Sequence, residues 1–107
     1  MSDSVKVFNA NDMQYENLSR NALTLVDFWA TWCGPCRQFA PVLEKFAADH
    51  PEITCCELDI DDSDNLKLIT ELEISTVPTV VIWRNGKITA RTSGFLNMNS
   101  LTQFLDK

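Results

Sequence analysis

The chain of 107 residues is long enough for one domain whose hydrophobic core needs no disulfide or metal to be stable. Apolar residues make up 45% and charged residues 22% of the sequence, a balance that excludes a disordered or fibrous protein. The net charge of -6 disfavours a nucleic-acid groove or an anionic membrane surface as the main binding partner.

The N-terminal residues, MSDSVKVFNAND, contain neither the basic nor the apolar region of a secretory signal, and no apolar run has the length of a membrane span. We therefore expect a single domain over residues 1–107 that is cytoplasmic and not bound to a membrane. In a reducing cytoplasm, a disulfide between any of the four cysteines would be transient and catalytic.

The first half of the chain predicts alternating strands and helices. The segment SVKVF (4–8) alternates apolar and polar residues as a strand does, and residues 11–20 follow as a helix with Asn11 as its N-cap. The run ALTLVDFWA (22–30) has almost no polar face, which is typical of a central strand covered on both sides. Beyond CGPC, apolar residues at spacings of three and four predict a helix that ends near Asp49.

The second half predicts a further strand, a helix, a hairpin and a last helix. ITCCELDI (53–60) has the composition of a buried strand, and in residues 61–72 acidic and Ser caps precede three apolar residues at helical spacing. These apolar residues are Leu66, Ile69 and Leu72. Two strand-like runs then flank Asn85-Gly86, the strongest short signal for a β-hairpin. With a final helix in NMNSLTQFLDK, the order β-α-β-α-β-α-β-β-α requires a mixed sheet with helices on its faces.

The segment Trp32-Cys33-Gly34-Pro35-Cys36 places two cysteines three residues apart at the start of the second predicted helix. A structural disulfide is one interpretation, but closing a loop of four residues stabilises a chain by roughly 2 kcal/mol, against about 4.7 kcal/mol for a loop of one hundred. A zinc site is a second interpretation. The remaining candidate ligands are Cys55, Cys56 and His50, the only histidine, but Cys55 and Cys56 are adjacent in a predicted strand and point to opposite faces.

Reversible dithiol chemistry fits the spacing best, because residues three apart on a first helical turn lie close enough to form a disulfide. Cys33 lies at the strand-to-helix junction, where free backbone N–H groups and the helix dipole stabilise a thiolate. We expect Cys36, one turn further in, to be less exposed. Cys33 is therefore predicted to be the attacking nucleophile and Cys36 the resolving thiol. Gly34 and Pro35 keep the turn compact and are expected to tune the redox pair.

Asp27 is the one acid inside the apolar strand that precedes the two cysteines. An edge-strand carboxylate that faces water is the simplest interpretation, yet Val26, Phe28 and Trp29 around it indicate burial. Burial without a partner raises the pKa of a carboxyl group. We therefore predict that Asp27 accepts the proton of Cys36 when that thiol attacks.

Four motifs in this order, VDFWATWCGPC (26–36), STVPT (75–79), RNGK (84–87) and TSGF (92–95), resemble the thioredoxin family. The similarity extends from about Val5 to the C-terminus and implies a thioredoxin fold, with a central mixed five-stranded sheet flanked by four helices. It also implies a protein disulfide reductase that acts on disulfide-containing protein substrates as a monomer. Such a protein is recharged by an NADPH-dependent thioredoxin reductase and binds no cofactor or metal itself.

The resemblance further implies that the Val77-Pro78 peptide is cis and lies beside the two cysteines. The backbone of Thr76 and Val77 would then pair with an extended substrate segment, and Trp32 and Gly94 would line the same shallow apolar surface. Without the resemblance, an ordinary trans proline at the start of a strand is the expectation for Pro78.

The third strand departs from the family pattern. Many bacterial members have a Lys near the buried Asp, whereas the matching position here is Glu57. If Glu57 approaches Asp27, the like charge raises at least one of the two pKa values. Cys55 and Cys56 are interpreted as small apolar residues of a buried strand, with a regulatory oxidation site as the alternative.

Two other functions remain open at this stage. One is a redox-independent thioredoxin-fold subunit or binding module of a larger complex. The other is an oxidase or isomerase in an oxidising compartment. The lack of a secretory signal disfavours the oxidising enzyme, as does the Gly34-Pro35 dipeptide, which resembles that of the reducing family members.

Overall fold

The computed structural model describes residues 4–12 and 23–106, and within them the predicted order of strands and helices is confirmed. The helix predicted over 11–20 lies outside the described residues, apart from its first two positions. In chain order the elements are strand β1 (Val5–Val7), β2 (Thr24–Trp29), helix α1 (Gly34–Asp49), β3 (Thr54–Asp59), a 3-10 turn (Ser63–Asn65), α2 (Leu66–Glu71), β4 (Thr79–Arg84), β5 (Lys87–Ser93) and α3 (Met98–Leu105).

The five strands form one mixed sheet in the order β1-β3-β2-β4-β5. Strand β3 runs parallel to both β1 and β2, while β4 is antiparallel to β2 and to β5. The central position predicted for β2 is therefore confirmed. In the parallel pair of β2 and β3, Asp27 lies opposite Glu57.

Both faces of the sheet are covered by helices, which explains why β2 is buried along almost its whole length and has apolar residues on both faces. Leu25 packs into a core with residues of α1 and α3, whereas Val26 and Phe28 pack on the opposite face with apolar residues of α2. Successive side chains of a strand point to opposite faces, so Asp27 lies on the α1 face, like Leu25. No helix within the described ranges is long and apolar enough to cross a membrane.

The predicted hairpin has a two-residue loop, in which Asn85 and Gly86 both have positive φ values, 53° and 81°. This is the backbone that a tight turn between two right-twisted strands requires, and Asn-Gly adopts it at the least strain. The last helix, α3, lies within the segment predicted for it. Asn97 is the N-cap of α3, and its side-chain oxygen accepts a hydrogen bond from the Ser100 N–H at 2.8 Å.

In the helix predicted over 61–72, Leu66 does not belong to the buried apolar face, because it is 63% exposed. The chain enters α2 through the 3-10 turn, and this places Asn65, rather than Leu66, in the buried position at the junction. The Asn65 side chain accepts from the Ala10 N–H at 2.6 Å and donates to the Asp59 carbonyl at 2.8 Å. A buried amide is tolerated here because the surrounding backbone satisfies it.

Candidate active site

Cys33 and Cys36 form a disulfide at the N-terminus of α1, with their Cα atoms 5.3 Å apart. Cys33 is the N-cap residue, with extended backbone, and its sulfur accepts a hydrogen bond from the Cys36 N–H at 3.1 Å. Gly34 is the first helical residue, and Pro35 follows it in the first turn, where a missing N–H removes no helical hydrogen bond. The predicted bridging of the pair across one helical turn is confirmed.

The expectation that Cys36 is less exposed than Cys33 is wrong, because each residue is 4% exposed. Cys33 is covered from outside its own helix, where the carbonyl oxygen of Val77 lies 3.6 Å from its sulfur. Together with Ala30, the two cysteines form a small cluster against which Trp29, Ile60 and Val77 pack. The two sulfurs therefore differ in what surrounds them and not in their exposure.

Behind Cys36 lies a cavity of about 190 Å³, which Asp27 and Glu57 also line. Asp27 is 1% exposed, so its predicted burial is confirmed and the interpretation as a water-facing carboxylate is wrong. Burial raises the pKa of Asp27 to about 8, and the charge of Glu57 adds to the rise. Cys33 does not line this cavity, so the structure brings Asp27 together with one of the two cysteines and not with the other.

Trp29 also lines this cavity, whereas the sequence analysis used Trp29 only as a sign that Asp27 is buried. Its indole nitrogen is buried without a hydrogen-bond partner among the described residues, and the same holds for the Oδ1 atom of Asp27. Trp29 and Asp27 are two positions apart in β2 and therefore share one face, which is the signal that could have identified the pair. A cavity of this size is large enough for water that would bond to both groups.

Glu57 lies opposite Asp27 on the neighbouring strand and is itself partly buried. Its own burial raises the pKa of Glu57, and the nearby carboxylate of Glu44 on α1 adds to this. Arg37 also lines the cavity, and its guanidinium donates to the Thr31 carbonyl oxygen at 2.8 Å. The condition posed from the sequence is thus met, because Glu57 lies opposite Asp27 and its charge adds to the raised pKa of Asp27.

Replacing Glu57 by Gln should lower the pKa of Asp27 from about 8, because one of the two causes of its rise is removed. The value should stay above 3.8, since burial is the larger cause and is unchanged. A titration of the Asp27 side-chain carboxyl carbon by NMR measures the shift. Glu71→Gln removes an equal charge from the exposed side of α2 and serves as the control. An Asp27 pKa that is the same in Glu57→Gln and in the parent chain contradicts the prediction.

The peptide between Val77 and Pro78 is cis, as the family resemblance implied. Thr76 is exposed, Val77 is half-buried and Pro78 is buried, so the loop presents its backbone beside Cys33. The Gly94 N–H donates to the Pro78 carbonyl at 2.8 Å, which holds the end of β5 against this loop. Gly94 has a φ of 98°, a value that side-chain-bearing residues rarely adopt.

Trp32, next to Cys33, is 65% exposed, and its indole nitrogen donates to Asp61 Oδ2 at 2.9 Å. This hydrogen bond fixes the orientation of a large apolar ring that stays open to solvent. An exposed aromatic side chain of fixed orientation is suited to contact with a protein partner. The predicted site residues around Cys33 are thus Trp32 on one side and the loop of Thr76, Val77 and Pro78, with Gly94 behind it, on the other.

The other two cysteines are buried and lie in different cores. Cys55 packs on the α1 face of the sheet and Cys56 on the α2 face, so the two cannot bind one ion together. Burial raises the pKa of each thiol to about 12, so neither forms a thiolate readily. The described residues contain no cluster of side chains that could hold a metal ion.

Comparisons with known proteins agree with this geometry. The family model named Thioredoxin matches residues 4–107. A thioredoxin of Staphylococcus aureus is 34% identical over 102 residues, which cover 94% of this chain and 96% of that protein.

Solved structures give the same result. Thioredoxin from Trypanosoma brucei brucei has a TM-score of 0.83 at 29% identity, and the aligned region covers 99% of this chain and 91% of that one. The oxidised thioredoxin of Plasmodium falciparum has a TM-score of 0.80 at 27% identity, with 95% of each chain covered. With its CxxC disulfide at the start of α1 and the buried acid behind it, the chain belongs to the thioredoxin family of dithiol–disulfide oxidoreductases.

Proposed function

We propose that this chain reduces disulfides of target proteins through Cys33 and Cys36 and is then recharged by an NADPH-dependent thioredoxin reductase. The observation that supports this most strongly is the asymmetric surrounding of the disulfide. One sulfur lies at the helix N-terminus beside the Val77 loop, and the other adjoins the buried carboxyl group of Asp27.

In the first step, the Cys33 thiolate of the reduced chain attacks one sulfur of the target disulfide. A bond forms between Cys33 and that sulfur, and the second target sulfur leaves as a thiolate. The N-cap position supports this role of Cys33, because the N–H group of Cys36 points at the sulfur and the helix dipole favours negative charge there.

In the second step, Cys36 loses its proton to Asp27 and attacks the sulfur of Cys33. This forms the intramolecular disulfide and releases the first target sulfur as a thiolate. Both target thiolates then take protons from water, so that the target has gained two electrons and two protons in all. A base whose pKa is about 8 is well suited to this transfer near neutral pH. The cavity that both Cys36 and Asp27 line supports this pairing of thiol and base.

Target proteins bind at the surface around Cys33 in this proposal. An extended segment of the target pairs with the backbone of Thr76 and Val77, and its side chains contact Trp32, Pro78 and Gly94. The exposure of Trp32 and of Thr76 supports this placement. Gly34 and Pro35 shape the turn that holds the two sulfurs in reach of each other.

The chain works in this scheme as a monomeric electron carrier in the cytoplasm. NADPH is the source of electrons, the reductase transfers them to the Cys33–Cys36 disulfide, and the chain binds neither a cofactor nor a metal of its own. The family membership supports a reductase partner of this general kind. The net charge of -6 supports protein partners over nucleic acids or anionic membranes.

A coupled assay with insulin, a thioredoxin reductase and NADPH tests the proposal. We expect NADPH consumption that depends on the chain, and none with the double variant Cys33→Ser, Cys36→Ser. A second reaction with dithiothreitol in place of reductase and NADPH separates the two halves of the proposal. Chain-dependent insulin reduction in the dithiothreitol reaction but not in the reductase reaction would contradict the recharge by reductase. No chain-dependent reduction in either reaction would favour the redox-independent binding module.

A further inference from the structure

Thr79, the residue after the cis proline, is fully buried and polar. Its hydroxyl oxygen lies 2.5 Å from the Thr76 carbonyl oxygen and 2.9 Å from the Ser93 hydroxyl oxygen. These two contacts connect the loop beside Cys33 to the last residue of β5. They involve side chains that neither the two-step mechanism nor the sequence motifs assign to any role.

The chemistry of the three groups fixes the direction of both hydrogen bonds. A carbonyl oxygen can only accept, so the Thr79 hydroxyl must donate its single proton to Thr76. Thr79 then has no proton left for Ser93, and the Ser93 hydroxyl must donate to the Thr79 oxygen. The result is a directed chain from Ser93 through Thr79 to the Thr76 carbonyl.

This chain of hydrogen bonds orients the peptide plane between Thr76 and Val77. The peptide is planar and trans, so its carbonyl oxygen and its N–H group point in opposite directions. Because Thr79 holds the Thr76 carbonyl oxygen toward the protein interior, the Val77 N–H group points away from the interior. The carbonyl oxygen of Val77 itself lies 3.6 Å from the Cys33 sulfur.

We propose that Thr79 and Ser93 are positioning residues that fix the Thr76–Val77 peptide for pairing with an extended, disulfide-bearing segment of a target protein. This inference rests on the proposed function, because it concerns how that function's substrate is held. A donor and an acceptor that are already aligned with the incoming strand lower the entropy lost on binding. Thr79 touches neither the sulfurs nor the substrate and acts only through the backbone of Thr76 and Val77.

The test compares variants in insulin reduction, with dithiothreitol as the reductant. For Thr79→Val, which keeps the shape but removes the hydroxyl, we expect the KM for insulin to rise roughly three- to tenfold, the effect of one lost hydrogen bond. The kcat should change less than KM, and Thr79→Ser should restore most of the loss. Ser93→Ala should also raise KM, by a smaller factor. Because Ser93 is exposed at the end of β5, we expect this variant to fold like the parent chain.

Reduction of the Cys33–Cys36 disulfide by dithiothreitol itself provides the internal reference, since a small thiol does not pair with the Val77 backbone. Thr102→Val is the matched control, because it removes a hydroxyl that donates to the Met98 carbonyl at 2.9 Å within α3. A KM for Thr79→Val and Ser93→Ala within twofold of the parent chain overturns the inference, as does an equal rise in Thr102→Val. The parent chain in the same assay tests the proposed function separately.

Discussion

We expect Cys33→Ser to abolish disulfide reduction, with insulin turnover at the rate seen without the chain. A serine hydroxyl at the helix N-terminus stays protonated near neutral pH, so no nucleophile remains to attack the target disulfide. Cys36 does not replace it, because Cys36 lines the cavity that holds Asp27, whereas the loop of Val77 lies beside Cys33.

Cys36→Ser should behave differently, although it too loses turnover. The first step still occurs, but the mixed disulfide between Cys33 and the target is no longer resolved and should accumulate. Mass spectrometry under non-reducing conditions detects this adduct, and Cys33→Ser should not form it. Cys55→Ala, which removes a buried thiol remote from the reaction, should turn over insulin and form no lasting adduct. An adduct on Cys36 in the Cys33→Ser variant would contradict the assignment of the two roles.

Asp27→Asn should stabilise the folded chain near neutral pH. The folded-state pKa of Asp27 is raised from 3.8 to about 8, so the folded form must either keep a proton or bury a charge. The contribution of the protonated Asp27 carboxyl group to stability is fully present below pH 3.8. It is lost progressively as the pH rises from 3.8 through about 8. At about 1.4 kcal/mol for each pH unit, the neutral Asn variant should be more stable near pH 7 by up to about 4 kcal/mol.

Denaturant unfolding between pH 4 and pH 9 measures this difference as a change in the free energy of unfolding. The advantage of Asp27→Asn over the parent chain should grow with pH and level off above pH 8. Asp49→Asn removes an exposed carboxylate and should differ from the parent chain by less than about 1 kcal/mol throughout. An advantage of Asp27→Asn that is constant with pH would mean that the Asp27 carboxyl group does not titrate with a raised pKa.

The same substitution should slow the resolving step, because Cys36 loses its proton acceptor. A general base usually accelerates a step by roughly 10²–10⁴-fold, and we expect a loss of roughly a hundredfold, since solvent accepts the proton less effectively than a positioned base. The lifetime of the mixed disulfide, followed after rapid mixing of reduced chain and target, gives the rate. If Asp27→Asn resolves the mixed disulfide at the rate of the parent chain, Asp27 is not the proton acceptor of Cys36.

Features that depend on neighbouring residues in the chain could be predicted from the sequence. Asn85-Gly86 needs only its own backbone preference to form the hairpin loop, and Asn97 caps α3 through a residue three positions on. The disulfide follows in the same way from the spacing of Cys33 and Cys36 on one helical turn. The order of the elements therefore followed from local patterns.

Contacts between distant segments could not be predicted with the same certainty. Glu57 reaches Asp27 because β3 pairs with β2 in one particular parallel register, and the sequence alone does not determine that register. The equal burial of the two cysteines depends on Val77, a residue that is distant from them in sequence and lies beside Cys33 only in the folded chain. The expected difference in exposure considered only the helix and therefore failed.

The placement of Cys55 and Cys56 on opposite faces of β3 limits the electron capacity of the molecule. Four thiols could in principle store two pairs of electrons, but these two cannot reach each other across the sheet, and the raised pKa of each thiol suppresses exchange with outside disulfides. The chain therefore carries one pair of electrons per cycle. Reduction converts the Cys33–Cys36 bond into two thiols, and Cys55 and Cys56 remain thiols throughout the cycle.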